Sequence, residues 1–335
     1  MNHIVLAFVI LFMLLFALLT ACITCVIWMP GRSGAEFTRS PTAAEREIEK
    51  NLQLHVEKLA GEIGERSVWC YDELEACAAY LRQILEELGY VVKEQPYRVL
   101  DKRVHNLEVE IAGGSKRDEI VLVGAHYDSA IDSPGANDNA SGVAALLELA
   151  RLLAGRQGGR TVRLVFFTNE EAPFFQTAEM GSLIYARRSR RLKEKIVAML
   201  CLETIGYFSN EPNSQQYPFP FSLFYPHAGN FLAFVGNLAS RRLVHQAISS
   251  FRRYSAFPSE GAAAPEWITG ISWSDHWSFW QQNYAAVMLT DTAPFRYPYY
   301  HSALDTPDKV DYSALARIVD GLHGVVSDLA GDQFP

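Results

Sequence analysis

The chain has 335 residues, 49% hydrophobic and 20% charged, values that exclude a disordered or collagen-like chain. With 30 Lys and Arg against 38 Asp and Glu, the formal charge is -8, the wrong sign for general nucleic-acid binding. Its one long apolar run excludes a multi-span membrane protein, and its five cysteines do not make a disulfide scaffold.

Ile4 to Met29 is a run of 26 residues without a charge. As a helix it would reach about 39 Å, enough to cross a hydrocarbon core of about 30 Å with tilt. Residues 1–29 are therefore expected to be a membrane anchor, with contact to the bilayer through residues 4–29. The short first stretch, Met1-Asn2-His3, has no Lys or Arg and fits a cleaved signal less well. The alternative is a lipoprotein attached through Cys22, because Leu19-Thr20-Ala21-Cys22 has the form of a lipoprotein cleavage box. The flanking charges do not set the orientation. A periplasmic or extracellular domain is expected from the common use of single N-terminal anchors.

Residues 30–41, rich in Gly, Ser, Pro and Thr, read as a linker. A single folded domain is expected over residues 42–335. Apolar residues at helical spacing (Ile48, Leu52, Val56, Leu59) predict a helix over 43–64, and a second runs near 71–88 up to Gly89. Extended segments follow at 90–99 and 106–111. Strands are then predicted at 119–125, 162–168, 196–202, 232–236 and 285–290. Helices are predicted at 139–153, 182–192, from 237 to about 251, at 275–281 and at 313–329. Buried apolar strands alternating with amphipathic helices indicate a three-layer α/β/α fold with a central mixed, largely parallel sheet.

In such folds the site lies beyond the carboxyl ends of the strands. Four apolar strands here run into polar residues: 120–125 into His126-Tyr127-Asp128, 165–169 into Glu170-Glu171, 197–202 into Glu203, and 287–290 into Asp291, with His301 ten residues further on. Asn137-Asp138-Asn139 precedes a helix. Imidazole and carboxylate ligands together suit zinc, and a carboxylate can bridge two ions. Adjacent Glu170 and Glu171 suit a division of labour, one ligating and one acting as base. Taken singly, each residue has a plainer explanation: Asp138 as a helix cap, Glu170 and Glu171 as solvated carboxylates, His126 as a core histidine, Glu203 as the partner of an arginine.

The blocks His126-Tyr127-Asp128-Ser129, Asn137 to Gly142, Asn169-Glu170-Glu171, Ser274 to Trp280 and Tyr300-His301 resemble, in order, the co-catalytic zinc aminopeptidases of metallopeptidase family twenty-eight. The resemblance covers about residues 47–329. It implies zinc, two ions per chain, with His126 on one, His301 on the other and Asp138 between them. Glu171 and Glu203 complete the ligands, the family more often showing Asp where Glu203 stands. Glu170 becomes the general base of a two-zinc hydroxide mechanism. Asp128 is expected to accept from the second nitrogen of His126 and so support catalysis. Asp305 is expected either to orient His301 or to turn the chain before Pro307.

The implied activity is hydrolysis of the N-terminal bond of peptides with a free amino terminus. The alternatives are a glutaminyl cyclase-like acyltransferase, a carboxypeptidase of the same family, which would need a basic group such as Arg296 in its pocket, and a non-catalytic ectodomain. The aromatic stretches 217–221 and 295–300 are candidates to line a substrate pocket. The basic run 187–195 reads as a solvated helix face or a contact for anionic lipid.

Overall fold

The computed structural model describes residues 3–34 and 40–331, with only the backbone described at residues 3, 4 and 22. The lipoprotein reading thus rests on a side chain, Cys22, outside the described residues.

Helix α1 (His3–Ile27) is solvent-exposed along the apolar span from Val5 and touches the domain at its carboxyl end, where Arg241 bonds Cys25 O. Helix α2 (Ala43–Val56) starts at Thr42, where a reciprocal cap satisfies two free backbone N–H groups. Thr42 Oγ1 accepts from Glu45 N, and Glu45 Oε2 accepts from Thr42 N. Its Ile48, Leu52 and Val56 form the buried stripe that the helical spacing predicts. Helix α3 (Tyr71–Glu87) follows, then strands β1 (Lys93–Val99), β2 (Lys102–Ile111) and β3 (Lys116–His126). The remaining elements are α4 (Gly142–Leu153), β4 (Arg160–Phe167), α5 (Gly181–Arg191), β5 (Lys195–Glu203), β6 (Leu232–Gly236), α6 (Arg241–Tyr254), β7 (Ser259–Ala263), α7 (His276–Trp280), β8 (Ala286–Thr290), α8 (Ala293–Arg296) and α9 (Tyr312–Ala330).

The strands form one sheet in the order β1-β2-β4-β3-β5-β8-β6-β7. The central four are parallel, while β1–β2, β2–β4 and β6–β8 pair antiparallel, giving the expected mixed sheet. Alternation along β3 splits its side chains between two cores. Val121 and Val123 face the layer of α2, α3, α4, α6 and α9, and Ile120 and Leu122 face the layer of α5 and α7. Strand β7 is unforeseen in the sequence because Ser-Glu-Gly-Ala-Ala lacks branched and aromatic residues; it forms because β6 offers it a parallel edge. Helix α4 begins at Gly142, three residues later than its pattern predicts, since 136–141 makes a wider turn with non-helical dihedrals at Asp138 and Asn139. In the basic run 187–195, Arg188 lies 3.8 Å from Glu108 and Lys195 lies 2.7 Å from Glu119.

Part of the expected linker is docked. Arg252 Nη1 donates to Pro30 O at 2.9 Å, and Ser259 N donates to Ser33 Oγ at 2.9 Å.

Arg66 is fully buried and joins loops distant in sequence. Its Nε donates to Tyr127 O (2.8 Å), its Nη1 to Gly64 O (2.8 Å) and Pro134 O (2.5 Å), and its Nη2 to Gly135 O (3.0 Å). Burial works against its charge, and the carboxylates of Asp305, Asp128 and Asp138 support it. Only a planar five-donor group can serve carbonyls spread this widely. Replacing Arg66 by Met should cost about 3 kcal/mol, by leaving buried acceptors unpaired. Urea unfolding is the measurement, and Arg66→Lys should recover less than half of the loss.

Candidate metal centre

Every expected site residue lies at the carboxyl edge of the sheet. His126 ends β3, Glu203 ends β5, and Glu170 and Glu171 follow β4. Asp138 sits in the turn before α4, and His301 enters from the tail after β8. All are buried except His301, whose side chain is 39% exposed and marks the mouth.

Asp138 is central. Its Oδ1 lies 3.4 Å from His126 Nε2, and its Oδ2 lies 3.1 Å from His301 Nε2. His301 Nε2 is also 3.2 Å from Glu171 Oε2, and His126 Nε2 is 3.2 Å from Glu203 Oε2. Two three-ligand groups result, His126/Asp138/Glu203 and Asp138/Glu171/His301, each with its ligand atoms within 4.8 Å of one another. Glu170 belongs to neither; its Oε2 is 4.0 Å from His126 Nε2.

These residues fit a bound metal. Among the described residues, His126 Nε2, both oxygens of Asp138 and Glu171 Oε1 are buried without a hydrogen-bond partner, although buried polar atoms are normally paired. His126 Nδ1 donates to the Asp128 carbonyl at 3.2 Å, which leaves the Nε2 lone pair facing the carboxylates.

The electrostatics agree. Burial, and then the charges of Glu203, Glu171 and Asp275, push Glu170 well above the carboxylate range against the pull of His126. Burial and the charge of Asp138 push Glu171 up to about 7. Burial alone would lower His126 and His301. The surrounding carboxylates outweigh it, raising His126 and taking His301 to about 10. Protons gather where cations would be favoured.

The loop carrying Asp138 is held from three sides. Asp305 accepts Asn137 N (2.8 Å) and Asp138 N (3.0 Å), and Tyr297 Oη donates to it at 2.6 Å. Asn137 donates to Asp291 Oδ2 at 2.9 Å and accepts Gly206 N at 2.9 Å. Asn139 Oδ1 accepts Gly142 N and Thr204 N, so capping falls to Asn139 and leaves the Asp138 carboxylate free.

A surrounding set of hydrogen bonds buttresses these residues. The carboxylate of Asp128 accepts the N–H groups of Glu170 (3.2 Å) and Glu171 (3.1 Å) and lies 3.6 Å from His126 Nδ1; its carbonyl is the nearer partner of that nitrogen. Asp305 grips the Asp138 loop, a backbone contact 167 residues away in sequence that no local pattern signals. Ser274 Oγ donates to Glu203 Oε2 at 2.6 Å, steadying the longer arm. His276 donates to Ile271 O and packs on Trp280, a structural role.

Beside Glu203 and Tyr300 lies a cleft of ≈ 100 Å³. Tyr217, Phe221, Phe231, Met288 and Phe295 line it, so both aromatic stretches reach it. Arg296 is not in this lining: its Nε donates to Gln215 Oε1 and its Nη1 to Phe231 O, it lies over the Phe231 ring, and its buried Nη2 has no partner among the described residues.

Residues 106–326 match the model of peptidase family M28. The Escherichia coli protein YfbL is 35% identical over 291 residues, 84% of this chain and 88% of its own. A probable zinc metalloprotease of Leptosphaeria maculans is 26% identical over 65% of this chain, which spans about half (53%) of that protein. Among solved structures, BSAP, a zinc aminopeptidase from Bacillus subtilis, has a TM-score of 0.69 at 14% identity, covering 86% of this chain and 96% of that one. Fimbriiglobus ruber glutaminyl cyclase has a TM-score of 0.61 at 20% identity, covering 90% and 99%. At these identities the structural likeness speaks for the fold.

If Asp305 aligns the Asp138 carboxylate, Asp305→Asn should weaken zinc binding about 10–100-fold without unfolding the chain. Competition with a chromogenic chelator gives the affinity, and circular dichroism checks the fold.

Proposed function

The chain belongs to peptidase family M28, and from that premise we propose that it is a membrane-anchored, two-zinc aminopeptidase. The observation that carries this reading is the pair of ligand groups meeting at Asp138. His126, Asp138 and Glu203 would hold one ion, and Asp138, Glu171 and His301 the other. Zinc suits this nitrogen and oxygen set and supplies Lewis acidity, polarising a carbonyl and acidifying water.

The chain's own residues then divide the work. Glu170, outside both ligand groups and buried beside them, takes a proton from water and delivers it to the departing amine. Asp128 holds Glu170 and Glu171 through their backbone N–H groups, so its part in catalysis is positional. The concentration of carboxylates attracts a free amino terminus, and the apolar cleft beside Tyr300 receives the first side chain. A carboxypeptidase would need a free cation in that cleft, and Arg296 does not line it. Helix α1 is the anchor, with the domain periplasmic or extracellular.

Two outcomes test this. Glu170→Gln should keep its zinc, by metal analysis, while kcat falls about 10²–10⁴-fold; an active, zinc-loaded variant would remove Glu170 from the role. Full-length protein with zinc should shorten peptides with free N-termini by one residue and spare acetylated ones, read by mass spectrometry, with a chelator stopping the reaction. Loss of ammonia from Gln peptides alone would instead support a cyclase.

A further inference from the structure

We propose that the recess where α1 meets the domain seats the phosphate of an anionic phospholipid headgroup, fixing the catalytic domain against the bilayer surface. The inference rests on reading α1 as a retained membrane span.

The recess measures ≈ 1150 Å³ and includes Trp28, Arg160, Arg241, Arg242, Arg253 and Asp328 in its lining. In a chain of net charge -8, four arginines against one aspartate is a local reversal of sign. Two of the four are compensated: Arg160 pairs with Glu119 at 2.6 Å, and Arg253 pairs with Asp328. Arg241 and Arg242 have no ion pair among the described residues. Arg241 uses Nε to bond Cys25 O at 2.7 Å, one of the carbonyls that the end of α1 leaves free. Arg242 is exposed. Both stand in the first turn of α6. Guanidinium groups match phosphate oxygens in geometry as well as charge.

The recess is also held at the right depth. Trp28 and Pro30, just past the end of α1, form part of its wall. Trp28 is 56% exposed and its ring contacts that of His245 edge-on, in keeping with the preference of tryptophan for the headgroup level. Met29 packs over Gly261, where a Cβ would come within 2.9 Å of its sulfur. Together with the Arg252 and Ser33 bonds, these contacts tie the recess to the end of the span. A phosphate at that level belongs to the membrane.

Native mass spectrometry of the full-length protein in detergent, offered equal phosphatidylglycerol and phosphatidylcholine, reads the preference directly. Phosphatidylglycerol should be retained selectively. Arg242→Gln should reduce that preference on the order of fivefold, and Arg242→Lys should restore it. Peptidase activity and melting temperature should not change in either variant. Equal retention of both lipids, an unchanged preference in Arg242→Gln, or displacement of the lipid by millimolar inorganic phosphate would overturn the proposal. Alkaline carbonate extraction of membranes separates the two readings. A chain released by carbonate refutes the anchor and this inference with it. A chain that stays embedded yet shows no lipid preference refutes this inference alone.

Discussion

The site depends on one carboxylate that is kept free of hydrogen bonds. Asp138 lies between two imidazoles, and neither of its oxygens has a hydrogen-bond partner among the described residues. A short acidic side chain ahead of a helix would ordinarily cap it. Here Asn139 does the capping, and Asp305 takes the N–H groups of Asn137 and Asp138. Both functions that would turn the Asp138 carboxylate toward the backbone are already filled. It is left to face the mouth, where it can be shared by two cations.

That arrangement concentrates negative charge where there is little water to screen it. Glu170, Glu171, Glu203 and Asp138 are all buried at one edge of the sheet, and burial raises the cost of holding them ionised together. In the proposed reaction, zinc and the general base would draw on the same charge. Behind the cluster, the buried guanidinium of Arg66 offsets part of it and fastens the loops that carry Tyr127, Pro134 and Gly135.

The N-terminal segment is joined to this machinery. The end of α1 and the residues after it are bonded to α6 and β7, and β6 and β7 also floor the apolar cleft. The N-terminal segment and the apolar cleft thus share one strand, β7. With α1 as the proposed anchor, the folded domain would set how the cleft faces the membrane.

The layered fold and the residues that gather at the sheet's carboxyl edge were legible in the sequence. Buried strands show as apolar runs, and the first polar residue after each run must emerge at the sheet's carboxyl edge, which is how His126, Glu171 and Glu203 could be read in advance. Periodicity likewise marked the buried stripes of α2 and α9. Strand β7 was not legible, because its residues carry no strand preference and it exists only as a neighbour of β6. Nor were the partners of Asp128, the grip of Asp305 on Asn137 and Asp138, the reach of Arg66, or the docking of residues 28–33. Each joins groups far apart in the chain through hydrogen bonds or packing, and sequence spacing carries no record of such contacts. Sequence alone determined which residues reach the edge of the sheet, because local pattern sets strand ends. Only the tertiary structure decided which atoms remain unpaired there, because that depends on what every neighbouring donor and acceptor has already bound.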